Sequence, residues 1–158
     1  MEGMFDITDI VLLTELNIDE LVSLEEKCFS TPWTKQMFLG DLKSEHTCYF
    51  GAFNDKDDLI GYIGMWCMGD TGEITNVAVN PEYRKIGIAS MLLEKLVEYG
   101  CNKGLEFLNL EVRESNMPAI KLYEKFDFKR VGLRKNYYKN PMENALLMTK
   151  TLLEERDD

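Results

Sequence analysis

The chain has 158 residues, 45% hydrophobic and 29% charged, a balance that suits one globular domain and excludes disordered or collagen-like chains. Its formal net charge of −10 opposes direct nucleic-acid binding, which requires lysines and arginines to neutralise phosphates, and points instead to cationic partners such as amines or basic polypeptides. No apolar run reaches the roughly 18–20 residues of a bilayer crossing and MEGMFDITD has no basic n-region, so no membrane association and a cytoplasmic location are expected.

The first strand is expected within Phe5 to Leu13. Asn17 then reads as an N-cap for IDELVSLEEKCF, in which Ile18, Leu21, Val22, Leu24, Cys28 and Phe29 share an apolar face. Pro32 interrupts that pattern, and Thr34 caps a short helix through Leu42 with Met37, Phe38 and Leu42 inward. Trp33 stands in the turn between them, either as a core plug or as a wall of a substrate pocket.

Thr47 to Phe53 and Leu59 to Met68 form a hairpin across Asn54-Asp55-Lys56-Asp57-Asp58, and a third strand starts near Glu73. The short connections predict an antiparallel meander. Ile74, Val77, Ala78 and Val79 make a buried strand that Asn80-Pro81 ends, because proline cannot donate to a ladder. From Gly87 onward Ile88, Met91, Leu92, Leu93, Leu96, Val97 and Tyr99 recur at helical spacing. At the start of that helix Arg84, Lys85, Gly87, Ala89 and Ser90 bring cations, unpaired amides and a positive helix end together, so a phosphate or pyrophosphate is the expected ligand.

Gly100 and Gly104 punctuate the helix end. Phe107 to Arg113 then alternates, with Leu108, Leu110 and Val112 on one face and Phe107, Asn109, Glu111 and Arg113 on the other. Ser115 and Asn116 cap a helix through Phe126, with Pro118 in its first turn. Phe128 to Leu133, Tyr137-Tyr138 and Ala145 to Leu152 supply the last strands, and residues 154–158 read as a charged tail after a domain of residues 1–153. The strands on either side of the central helix are expected to be parallel neighbours through a right-handed crossover. The four cysteines, Cys28, Cys48, Cys67 and Cys101, lack a CxxC pair and there is a single histidine, so free thiols and no metal site are expected.

The loop RKIGIA, Arg84 to Ala89, in its strand–loop–helix context, resembles the pyrophosphate-binding pattern of the GNAT family of acetyl-CoA-dependent N-acetyltransferases. LEVRESNMPAIKLYEKFDF, from Leu110, and RKNYY, from Arg134, are similar to its RimI-type branch, whose members acetylate the N-terminal alanine of a small-subunit ribosomal protein; the PWT segment at Pro32 also fits. Ala89 stands where that branch often has a second glycine. The resemblance implies an α/β fold, a single GNAT-type domain with a mixed, mostly antiparallel sheet flanked by helices.

It also implies acetyl-CoA as co-substrate, held by Val77, Ala78 and Val79, by Arg84, Lys85, Ile86, Gly87, Ile88, Ala89 and Ser90, and by Asn116. Glu111 is implied as proton acceptor, Tyr123 as proton donor, and Trp33 and Tyr138 as acceptor-side residues, with direct transfer and no acetyl-enzyme. From the residues alone Glu111 could equally be one half of an ion pair with Arg113 or a lysine, and Tyr123 a core residue with its hydroxyl at an edge. Three alternatives stay open: a lysine side chain, another protein N-terminus or a small amine as acceptor. A non-catalytic acetyl-CoA-binding regulatory module is a fourth, disfavoured by the presence of Glu111 and Tyr123.

Overall fold

The computed structural model describes residues 7–152. Seven strands and four helices follow in the order β1 Ile7–Leu12, α1 Ile18–Cys28, α2 Lys35–Lys43, β2 Thr47–Asn54, β3 Leu59–Met68, β4 Thr71–Val79, α3 Ile88–Lys103, β5 Phe107–Arg113, α4 Met117–Lys125, β6 Lys129–Tyr138 and β7 Glu143–Thr151. The expected start of the first strand at Phe5 and the charged tail lie outside the described residues.

The chain forms two compact units, one from the residues up to Trp66 with Asn76–Glu98, the other from Cys67–Thr75 with Tyr99 onward. In the first, the strands lie in the order β1-β2-β3-β4, β2 running antiparallel to both β1 and β3. Its core is aromatic. Tyr49 stacks on Tyr62 with ring centroids 5.8 Å apart, and Phe38 of α2 meets both edge-on at 6.2 and 5.9 Å. Leu21 and Leu24 of α1 and Leu13 pack into the same cluster. Burying each such side chain stabilises the fold by roughly 1.5–3 kcal/mol.

In the second unit the order is β4-β5-β7-β6. β4 and β5 are parallel, from Thr71↔Phe107 to Ile74↔Leu110, as a crossover through α3 requires, and the pairs β5·β7 and β6·β7 are antiparallel. The sheet is thus mixed and mostly antiparallel. β5 alternates as its sequence demands, with Leu108, Leu110 and Val112 buried and the odd positions between them half-exposed.

Four local expectations need correction. Asn17 precedes α1 but makes no cap hydrogen bond to it; its Oδ1 accepts from the Thr14 N–H at 2.9 Å, closing a capping box on the 3-10 turn Glu15–Asn17. Met37 is 46% and Phe29 42% exposed, because each falls off the face that Phe38 and Leu24 bury. Gly100 does not end α3. It packs inside the helix, where an added Cβ would come within 3.1 Å of Leu152 Cδ1. The helix stops at Gly104, whose φ of 82° allows a Schellman ending: Leu105 N–H bonds to the Gly100 carbonyl and Gly104 N–H to that of Cys101.

Candidate active site

In the first unit the sequence dictates an anion cradle. Asn80 Oδ1 accepts from Glu82 N–H at 2.9 Å and Pro81 opens the 3-10 turn Pro81–Tyr83, so the chain leaves β4 sharply and runs through Arg84–Gly87 into α3. Two residues of that loop are left-handed, Lys85 with φ 69° and Gly87 with φ 91°. The open space around Gly87, where a Cβ would meet nothing within 4 Å, shows that glycine serves the backbone conformation there rather than a tight fit.

The first amides of the 16-residue α3 lack intrahelical acceptors, and no acidic side chain occupies its first turn. Arg84 and Lys85 are exposed beside them, the Arg84 Nε–H donating to the Val79 carbonyl at 3.2 Å. Oriented N–H groups, a helix N-terminus and two cations fit a diphosphate such as that of coenzyme A. Ile88 is buried and anchors the helix start; Ala78 is buried in β4, with Val77 and Val79 half-exposed on either side of it. Replacing Gly87 by alanine should strain the loop by about 1–2 kcal/mol, lower Tm by about 2–8 °C and raise the KM for acetyl-CoA about tenfold; steady-state kinetics and thermal denaturation check both.

The second unit holds a cluster of phenols and charges. Glu111 projects from β5, its Oε2 3.5 Å from an Arg134 nitrogen on β6, and Tyr137 hydrogen-bonds to the same carboxylate. That bond, with burial, raises the Tyr137 phenol above its ordinary value. Tyr138 meets Tyr137 edge-on at 5.1 Å and lies under the Arg113 guanidinium at 4.5 Å. Burial, Glu111 and Tyr137 push its phenol up to about 12, against the pull of Arg113.

Tyr123 is 7% exposed on α4, edge-on to Phe128 at 5.7 Å; burial, and then Tyr138, push it up to about 12. The ion pair that Glu111 forms is therefore with Arg134. Arg113 is committed elsewhere, to Glu143 at 3.2 Å and to the Pro141 and Lys139 carbonyls at 3.0 and 3.2 Å, which fastens the β6–β7 turn.

Sequence reasoning singled out Glu111, Tyr123 and Tyr138, which the electrostatics couple, but not Tyr137 or Arg134. The signal was present in RKNYY. Strict alternation would send adjacent tyrosines to opposite faces, but β6 carries a register shift between Arg134 and Tyr138, with Asn136 at φ 54°, so Tyr137 and Tyr138 both interact with Glu111. Asn116 caps α4, its Oδ1 accepting from Ala119 N–H at 3.3 Å, which leaves the amide nitrogen as its group for a ligand. Trp33 is half-buried against Phe38, 5.4 Å between ring centroids.

None of the four cysteines, all among the described residues, is in a disulfide. Burial raises the Cys28 and Cys67 thiols above their ordinary value, with Arg84 and Lys103 respectively pulling them back, so neither is a poised nucleophile. Among the described residues no group of three or more His, Cys, Asp or Glu side chains is arranged to hold a metal, and no helix is long and apolar enough to cross a membrane.

The strand–loop–helix cradle of the first unit has the features that a coenzyme A-dependent acyltransferase needs for the diphosphate. Residues 18–128 match the Acetyltransferase (GNAT) family. A Bacillus subtilis protein named as a candidate ribosomal protein bS18-alanine N-acetyltransferase is 38% identical over 138 residues, 87% of this chain and 91% of that protein. A Haemophilus ducreyi ribosomal protein bS18-alanine N-acetyltransferase is 30% identical over 142 residues, covering 88% and 97% of the two chains. The crystal structure of the ribosomal-protein-S18-alanine N-acetyltransferase from Escherichia coli superimposes with a TM-score of 0.85 at 27% identity, over 91% of this chain and 93% of that one. The chain belongs to the GNAT family, whose acetyltransferases use acetyl-CoA, and is itself an acetyltransferase.

Proposed function

We propose that this chain acetylates the N-terminal α-amino group of a protein, and that its acceptor is the N-terminal alanine of a small-subunit ribosomal protein. The activities named for its relatives support that acceptor. A net charge of −10 is complementary to a basic polypeptide. The observation that carries the chemistry is the β5 carboxylate of Glu111, beside Arg134 and the phenols of Tyr137 and Tyr138, the second of which acts in turn on buried Tyr123.

An N-terminal amine has a pKa of about 8 and is mostly ammonium at neutral pH, so it must shed a proton before it attacks. Glu111 takes that proton, directly or through a water. Acetyl-CoA, when bound, supplies the activated thioester. The amide of Val77 polarises its carbonyl, while Arg84 to Ser90 and Asn116 hold the coenzyme and Trp33 and Tyr138 line the acceptor's path. One preorganised donor at the developing oxyanion contributes roughly 3 kcal/mol. Tyr123 offers the departing sulfur a proton, and the nitrogen, cationic after attack, releases a second proton that restores the Tyr123 phenol through water. The ammonium thus loses two protons in all, one to Glu111 and one that ends on the thiol. The amine nitrogen gains the acetyl carbon, the carbon–sulfur bond breaks, and no acetyl-enzyme forms.

The test incubates the protein with acetyl-CoA and an alanine-starting basic peptide, with lysine peptides and polyamines in parallel. A mass gain of one acetyl group confined to the peptide's α-amine is expected. Transfer only to lysine side chains or polyamines reassigns the acceptor, and coenzyme binding without transfer to any amine removes the catalytic reading.

A further inference from the structure

In the first unit a buried carboxylate serves neither the coenzyme cradle nor the acid–base cluster. Glu25, on α1, is 2% exposed. Its Oε1 accepts from the Tyr62 hydroxyl at 2.5 Å and its Oε2 from the backbone N–H of Trp33 at 3.2 Å. No lysine or arginine among the described residues is ion-paired with it. Removing a carboxylate from water is costly, and here the cost is offset only by the donors that the carboxylate orders.

Beyond Tyr62 lies β4, whose Ala78 packs in the same cluster. Asn76 acts on the Tyr62 phenol from that strand, but burial together with Glu25 raises the phenol far above its ordinary value, so Tyr62 stays a donor to Glu25. Asn76 directly precedes Val77 in β4, and its Oδ1 is buried without a partner among the described residues. On the other side of Glu25 is the turn at Pro32–Thr34. Between the end of α1 and the cap of α2, the Trp33 N–H to Glu25 bond ties an otherwise irregular segment to the core. A single carboxylate thus connects the turn that carries Trp33 to the strand that carries Val77.

We propose that Glu25 is a positioning residue for acceptor binding: through Trp33 it sets the Pro32–Thr34 turn in register with the Asn76–Val79 stretch of β4. This rests on the reading of Trp33 and Val77 as acceptor-side and thioester-side residues. Glu25 itself touches neither substrate. Its work is to keep the turn from swinging away from β4 while the acceptor's first residue enters.

Two readouts separate this role from the acetyl-transfer reading. In a Trp66→Phe background Trp33 is the one remaining tryptophan, since the chain has two, and acrylamide quenching reports how firmly its turn is held. Glu25→Leu removes both acceptors while keeping an apolar side chain in the core, and Glu25→Gln returns an acceptor for the Trp33 N–H. The expected result for Glu25→Leu is at least a doubling of the quenching constant and an acceptor KM raised about tenfold, with kcat and acetyl-CoA affinity within about twofold. Glu25→Gln should recover most of both losses, and Glu25→Leu should add nothing to the acceptor KM once Trp33 is alanine.

Should Glu25→Leu fail to fold, Tyr62→Phe, which removes the central hydroxyl, should shift quenching and acceptor KM in the same direction by a smaller factor. Unchanged quenching with unchanged acceptor KM overturns the proposal. So does a joint fall of Tm, kcat and acetyl-CoA affinity with no selective rise in acceptor KM. Raised quenching in a protein that acetylates no peptide upholds the positioning of the turn and overturns the acceptor reading instead.

Discussion

Glu111→Gln lowers kcat on an alanine-starting peptide by about 10²-fold or more at neutral pH, while acetyl-CoA affinity stays within about twofold of the parent. Glutamine keeps the size of the side chain and an oxygen toward Tyr137 and Arg134, so a purely structural role would leave turnover nearly intact. The deficit should also depend on pH. Glutamine cannot accept the ammonium proton, but as pH rises past the amine's pKa of about 8 a growing share of acceptor arrives already neutral, and the gap between variant and parent narrows. Tyr137→Phe removes one hydrogen bond from the carboxylate without removing the base, and a loss of less than about fivefold is expected. A pH-independent deficit in Glu111→Gln, or a loss in Tyr137→Phe as large as in Glu111→Gln, would overturn the assignment of Glu111 as base.

Elements came through in the sequence wherever the two faces of a segment differ in chemistry. β5 alternates cleanly because one face is buried and the other carries Asn109 and Glu111, and its bounds coincide with those the pattern predicts. Thr34 and Asn116 announce their helices because a short polar side chain next to an apolar run has few other uses. β3 offers no such contrast: seven consecutive residues from Leu59 to Met65 are buried, and although Tyr62 carries the one hydroxyl in LIGYIGM, nothing in the segment says which group it meets.

Glu25 is the instructive omission. It stands four residues after Leu21 and three before Cys28, squarely on the apolar face of α1, and a charge at such a position must find donors inside the protein. The spacing alone could flag it, but the donors come from Tyr62 and Trp33, distant in sequence, and only folding brings them together. The same limit applies to Tyr137 and Arg134, whose approach to Glu111 depends on a register shift that no period predicts.

The phenol of Tyr123 carries the second large effect. Tyr123→Phe should lower kcat by about 10²-fold while acetyl-CoA affinity and Tm barely move, since phenylalanine preserves the ring contact with Phe128. Burial places this phenol at about 12 in the free enzyme. A typical thiol lies near 8.5, so complete donation from Tyr123 to the departing thiolate is uphill by about 3.5 pKa units, roughly 5 kcal/mol. The proton therefore moves late, with the hydroxyl first stabilising charge on sulfur as a hydrogen-bond donor.

The sign of the pH dependence follows. A raised pKa keeps Tyr123 protonated throughout the range in which the amine acceptor loses its proton, so kcat/KM should climb through about pH 8 and then hold level to pH 10 with no descending limb. A tyrosine at its ordinary value near 10 would already be half ionised there. A fall in kcat/KM between pH 8 and 10 in the parent that disappears in Tyr123→Phe would mean that the buried phenol ionises in that range, and a Tyr123→Phe variant with full turnover would mean that the thiolate takes its proton from elsewhere.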